Sequence, residues 1–150
     1  AKIFHIPGHT TGHIAYYFHS QGWLFSGDVL FMMGCGRLFE GTAEKAFESI
    51  NKVAALPDET FIFAAHEYTL KNAEFALECE PNNSALIERF NKTKLLREEG
   101  MPTVPARLEV EKETNPFLRT DSMAIRQNLG MEGADNCNVF AELRRRRDNF

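Results

Sequence analysis

The sequence predicts an α/β chain in two unlike parts, residues 1–68 rich in strands with one helix and residues 69–150 helical. Two observations carry this expectation. Up to Glu67, short apolar and aromatic runs are separated by turn pairs such as Pro7-Gly8 and Gln21-Gly22, the texture of strands joined by tight loops. Beyond Tyr68 the texture changes to longer segments bounded by helix caps and breakers, a composition shift that marks a boundary between 68 and 69.

Taken in order, Lys2 to Ile6, Ile14 to Phe18 and Trp23 to Phe25 are the first strands. A helix fits Thr42 to Ala55, because Ala43, Ala46, Phe47, Ile50 and Ala54 recur at helical spacing and Pro57 stops the run. Thr60 to Ala65 returns to strand. Thr69 is placed to cap a helix ending before Pro81, and a second helix runs from Ser84 to near Gly100. Pro102, Pro105 and Pro116 deny a long helix to Met101 to Arg119, which reads as an extended connector over the surface. Two shorter helices follow. The last, Asn138 to Arg147, carries Val139, Phe140 and Leu143 on one side and Arg144 and Arg147, three residues apart, on a neighbouring face.

The bulk composition narrows the functional classes. With 43% apolar and 25% charged residues in 150, the chain folds around a core, as one ordinary domain or two small ones. A net charge of -4 argues against a nucleic-acid partner, so any anion site must be local. Cys35, Cys79 and Cys137 stand alone, an odd count without a CxxC pair, which indicates neither a disulfide framework nor a thiolate zinc site and fits a reducing, cytoplasmic compartment. No apolar run approaches the roughly 18 residues a membrane span requires. The chain begins on Ala1 and moves straight into a strand, so it is expected to start within a domain.

Three short stretches offer chemistry. In Pro7-Gly8-His9-Thr10-Thr11-Gly12-His13, glycines let the backbone turn and bring imidazoles to strand ends. His9 is the candidate metal ligand and His13 a supporting residue. Ser26-Gly27-Asp28 sets a carboxylate at the carboxyl end of a strand, where α/β folds place ligands. His66 closes another strand. Each alone is compatible with a hydrogen-bonded loop histidine or a common Gly-Asp turn. Together, three strand ends offering His, Asp and His supply the nitrogen and oxygen donors of a zinc or iron site. Their spread over some 60 residues forms no counted motif, so spacing alone does not name a reaction.

The order and spacing of these stretches resemble the second half of the metallo-β-lactamase fold. Features that resemble the hydroxyacylglutathione hydrolase (glyoxalase II) family more specifically are Gly34-Cys35-Gly36-Arg37-Leu38-Phe39-Glu40-Gly41-Thr42-Ala43, His66-Glu67-Tyr68-Thr69, Pro102-Thr103-Val104-Pro105 and Asn115-Pro116-Phe117-Leu118-Arg119. The resemblance covers essentially the whole chain. It implies the C-terminal half of a metallo-β-lactamase αββα sandwich, residues 1–68, followed by a small all-helical glutathione-binding domain, residues 69–150. It further implies two divalent ions, zinc with iron or manganese as alternatives, with His9 on one, Asp28 bridging both, His66 on the other, and a hydroxide held between them as nucleophile. Arg37, Phe39, Tyr68, Arg144 and Arg147 would then hold the glutathione thioester, with Phe39 standing where the family pattern has a tyrosine hydroxyl.

The family's HxHxDH segment does not occur in these 150 residues. Partial or no metal occupancy and little activity are therefore expected of this chain alone, with an uncovered apolar sheet face that pairs with a missing N-terminal half or with another copy. Two further readings stay open: a mono-iron persulfide dioxygenase of the same superfamily, against which the tail carrying Arg144 and Arg147 argues, and a non-catalytic interaction module.

Overall fold

The computed structural model describes residues 1–150. Strands β1 (Lys2–His5), β2 (Ile14–Phe18) and β3 (Trp23–Gly27) form an antiparallel meander. A small hairpin, β4 (Leu30–Phe31) and β5 (Gly34–Cys35), follows and leads to helix α1 (Ala43–Ala54). Strand β6 (Phe61–Ala64) then pairs parallel to β3. Helices α2 (Thr69–Cys79) and α3 (Ser84–Glu98) come next, then strand β7 (Ala106–Arg107), helix α4 (Leu108–Thr114), a 3-10 turn at Pro116–Leu118, and helices α5 (Met123–Leu129) and α6 (Asn136–Asp148). The main sheet has the order β1-β2-β3-β6-β7, so the second part contributes its edge strand.

Alternation along the strands sorts the sheet into two faces. Ala15, Tyr17, Leu24 and Ile62 point into a buried core that continues without a break through Ile50 and Val53 of α1 to Phe117, Phe140 and Leu143. On the opposite face Ile3, Tyr16, Phe18, Trp23 and Phe25 are exposed, with Phe25 stacked on Phe63 at 4.9 Å. A sheet with one dry face and one bare aromatic face matches the expected uncovered surface.

The helices expected over Thr42 to Ala55 and from Ser84 form as α1 and α3, each opened by a side-chain cap. The Thr42 side chain accepts from the Lys45 N–H at the start of α1, and the Asn83 side chain caps α3 by accepting from Leu86. Thr69 does not cap α2. Tyr68 occupies that position without a side-chain cap, and the Thr69 hydroxyl instead meets Thr103 across the fold, next to a Glu67 carboxylate that accepts from both the Thr103 N–H and its hydroxyl. The stretch 101–119 is not a surface connector. It folds into β7, α4 and the 3-10 turn, burying Leu108, Glu111, Asn115 and Phe117, because Pro105 and Pro116 leave a stretch free of proline in which the seven residues of α4 form.

The helical part is tied together by Glu80, whose carboxylate takes both Nε and Nη2 of Arg119 at 2.9 and 2.8 Å as well as the Ser122 hydroxyl. Burial raises its pKa, and the hydrogen bonds from Arg119, Asn83 and Ser122 outweigh that, leaving the group below the usual carboxylate range. No helix is long and apolar enough to cross a membrane.

Candidate functional site

Strands β3 and β6 run parallel side by side, so their carboxyl ends open onto the same place. Asp28 follows β3 and His66 follows β6. Their Oδ1 and Nε2 atoms lie 3.2 Å apart. The Asp28 turn needs glycine twice. Gly27 sits at φ +56, where a Cβ would stand 2.5 Å from His13 Nε2, and a Cβ on Gly36 would collide with the Asp28 carbonyl oxygen. These close approaches let the β4–β5 hairpin pack directly behind the carboxylate.

His9 reaches the same cavity from the β1–β2 loop. Ser49 of α1 donates its hydroxyl to the Pro7 carbonyl at 2.6 Å, and Phe39 N–H donates to the His9 carbonyl, which fixes the loop from both sides. His9 Nδ1 lies 2.8 Å from the Arg37 carbonyl oxygen. A carbonyl only accepts, so the proton belongs on Nδ1 and the lone pair on Nε2, the arrangement metal-binding histidines use. His13 Nε2 sits 3.3 Å from both the Ser26 carbonyl and the Asp28 N–H, bracing the turn in either tautomer.

The cavity, of about 550 Å³, is lined by His9, Asp28 and His66 together with aromatic and basic side chains. Tyr68 stacks on His66 at 4.9 Å, with Phe31 edge-on to Tyr68 at 5.2 Å, and Phe39 meets His9 at 4.9 Å. Arg37, Lys71, Arg144 and Arg147 form its cationic wall. Burial, then the neighbouring charges of Arg144 and Arg37, hold the Arg147 pKa below its ordinary value, so a bound anion would relieve a crowd of cations. Cys35 also lines the cavity, but burial, only partly offset by Arg144, pushes its thiol up to about 11. It stays protonated near neutral pH and is no nucleophile.

Donor chemistry fits a zinc or iron site, and the His9 tautomer fits ligation. Convergence is incomplete: Asp28 and His66 are in contact, whereas no three His, Cys, Asp or Glu side chains of this chain gather closely enough to hold an ion. A closed site takes three or four protein donors, and Asp28 and His66 bring two into contact.

The two C-terminal arginines part company. Arg144 does not lie on an open face; it is 5% exposed, donates to the Cys35 carbonyl at 2.6 Å and to Asp148 at 2.8 Å, and lies over the Phe117 ring. Arg147, half-buried, donates only to Asn72 Oδ1 at 3.2 Å and keeps donors for a ligand. We expect Arg144→Met to lower unfolding stability by about 1–3 kcal/mol, from the buried Cys35 carbonyl left unpaired. Arg147→Met should stay within about 0.5 kcal/mol. Urea unfolding of the two variants checks this, and equal losses would refute the division. Phe31, Cys35, Lys71 and Asn72 were not anticipated from sequence; for Asn72 a signal existed, since it lies one helical turn after Tyr68.

Residues 67–150 match the model of the hydroxyacylglutathione hydrolase C-terminus, and residues 1–66 that of the metallo-β-lactamase superfamily. The chain belongs to the hydroxyacylglutathione hydrolase family. A hydroxyacylglutathione hydrolase of Methylococcus capsulatus is 52% identical over the whole chain, which spans 59% of that relative's length. Among solved structures, TTHA1623 in a di-iron-bound form aligns with a TM-score of 0.52 and 26% identity over 78% of this chain and 42% of its own. ETHE1 from Myxococcus xanthus aligns over 96% of this chain and 44% of its own, with a TM-score of 0.57 at 22% identity, a likeness of fold alone. Membership of the metallo-β-lactamase superfamily implies divalent metals, and this chain places its metal-type donors and its cationic wall around one cavity.

Proposed function

We propose that this chain is the second half of a metal-dependent thioesterase that hydrolyses S-lactoylglutathione and similar acyl-glutathiones to a 2-hydroxy acid and glutathione. The observation that supports it is the single cavity in which His9, Asp28 and His66 face Arg37 and Arg147. In this reading His9, Asp28 and His66 hold two divalent ions, of which zinc suits the donor set and iron or manganese are alternatives, with further ligands from a preceding segment. Bound ions of this kind lower the pKa of water and polarise a carbonyl.

The chain's own residues bind and orient. Arg37 and Arg147 take the carboxylates of the tripeptide, for which a planar guanidinium is suited. Arg144 supports that wall from behind rather than touching the ligand. Tyr68 and Phe31 present an aromatic face beside His66, and Phe39 presents a ring without a hydroxyl. His13 keeps the Asp28 turn in place.

The bare aromatic face of Tyr16, Phe18, Trp23 and Phe25 is where the preceding segment of the relatives would pack, completing the sandwich. We further propose residues 1–68 and 69–150 as the metal-binding and glutathione-binding divisions, a cytoplasmic setting, and no nucleic-acid or membrane partner.

The test compares hydrolysis of S-lactoylglutathione, with metal content on the same samples, by this chain alone and by the chain joined to the preceding segment its relatives carry. Turnover with two bound ions in the joined protein and neither in the chain alone is expected. An inactive joined protein would sink the thioesterase reading; robust turnover by the chain alone would sink its dependence on outside ligands.

A further inference from the structure

We propose that Glu111, a fully buried carboxylate outside the cavity, is a positioning residue for the arginines that line it. The inference rests on the thioesterase reading above. Glu111 lies on α4 with no exposed surface. Its Oε2 accepts from the Met33 N–H at 2.7 Å and from Asn115 Nδ2 at 3.1 Å, and its Oε1 takes the Arg89 guanidinium. Asn115 also donates to the carbonyls of Phe31 and Gly34, at 3.2 and 3.0 Å. Apart from the Arg89 ion pair, which ties Glu111 to α3, these contacts end on the β4–β5 hairpin or on Asn115, which holds it.

Met33, at the hairpin turn, is the only non-glycine residue with positive φ, at 55°. That conformation is unfavourable for a side chain such as methionine and persists only where its surroundings impose it. An anionic acceptor behind the Met33 N–H is such an imposition.

From the front of the same hairpin, two contacts reach the cationic wall. The Met32 carbonyl accepts from Asn72 Nδ2 at 3.1 Å, which turns Asn72 Oδ1 toward Arg147 Nη2 at 3.2 Å. The Cys35 carbonyl accepts from Arg144 Nη1 at 2.6 Å. Glu111 therefore sits behind a four-residue strip whose front carbonyls aim the asparagine and the arginine guanidinium that shape the anion end of the cavity. Packing alone would not call for a buried carboxylate, since an apolar side chain of that size fills space without desolvating a charge. The network also gives a purpose to Asn115 in the run Asn115 to Arg119, which the thioesterase reading leaves without a role.

The test uses Glu111→Gln in the protein that joins this chain to its preceding segment. Glutamine matches the shape but brings two hydrogens against donors already present. Two thioesters are compared: S-lactoylglutathione, and S-lactoyl-N-acetylcysteamine, which has no carboxylate. We expect kcat/KM for the first to fall about tenfold through KM, as for a modest displacement of binding groups, and that for the second to change less than about twofold. Calorimetric affinity for S-methylglutathione should weaken about tenfold in parallel. An equal fall for both thioesters, or no change in either, overturns the positioning role. If the unmodified protein hydrolyses neither, the thioesterase reading fails, and S-methylglutathione decides alone: a tenfold weakening supports the inference, unchanged affinity or no binding overturns it. Should Glu111→Gln not fold, Asn115→Ser carries the same comparison, since its hydroxyl can still accept from Phe117 N–H while the donors to Phe31 and Gly34 are lost.

Discussion

In the joined protein, Asp28→Asn is expected to lower turnover of S-lactoylglutathione by about 10²- to 10³-fold, as loss of a principal electrostatic stabiliser does. Asparagine fits the same turn, because the backbone there is set by Gly27, by the close approach of Gly36 and by His13, none of which contacts the carboxylate oxygens. The change is thus one of charge and donor type rather than of fold. Metal content should fall with activity, since the substitution removes the carboxylate that lies 3.2 Å from His66 Nε2 and leaves an amide that binds hard or borderline cations weakly. Elemental analysis beside steady-state kinetics checks both. Retention of full activity and metal by Asp28→Asn would remove Asp28 from the site and, with it, the reading of β3 and β6 as the two strand ends that carry the centre.

Phe140→Ala is expected to cost about 3–5 kcal/mol of stability, the range for emptying a buried aromatic site. Phe140 has no exposed surface and lies at the centre of the shared core: its ring is 5.5 Å from Phe47 of α1 and 5.6 Å from Phe117 of the 3-10 turn, which in turn stacks on Phe75 of α2 at 6.3 Å. Two elements, one from each part of the chain, therefore lose a common partner. The neighbours belong to separate helices and cannot all close on the gap, so the cavity term should persist. Phe140→Leu, which keeps most of the volume, should cost less than about 1.5 kcal/mol. Urea denaturation of both variants gives the comparison. A loss below about 1 kcal/mol for the alanine variant would mean that the two parts do not share a core in solution.

Much of the fold was legible because its signals are local. Strands β1, β2, β3 and β6 carry period-two alternation or apolar runs ended by turn residues, α1 carries a helical stripe with Thr42 before it, and Asn83 and Ser84 open α3. The hairpin β4–β5 and strand β7 were not legible. Each strand has two residues, too few to show any period, and they exist because a partner supplies the hydrogen bonds: β4 and β5 pair with each other, and β7 pairs with β6. Helix α4 lay hidden between prolines, where breaker signals at both ends masked seven helical residues.

The site divides in the same way. The kinds of donor at His9, Asp28 and His66, and the pair Arg144 and Arg147, are properties of residue type and of position next to a strand end or on a helix, and the sequence by itself determined them. Helical spacing sets how far apart Arg144 and Arg147 point, but which of them turns inward depends on what packs against α6. Only the tertiary structure decided that Arg144 meets the Cys35 carbonyl while Arg147 keeps its fork for the cavity. It alone decided that Asp28 meets His66 whereas His9 stays apart, and that Glu111 and Asn115 stand behind the hairpin more than 70 residues away in the chain. The physical reason is that a contact between distant residues depends on the register and packing of two elements at once, whereas periodicity, caps and turn residues record only the neighbours of each residue along the chain.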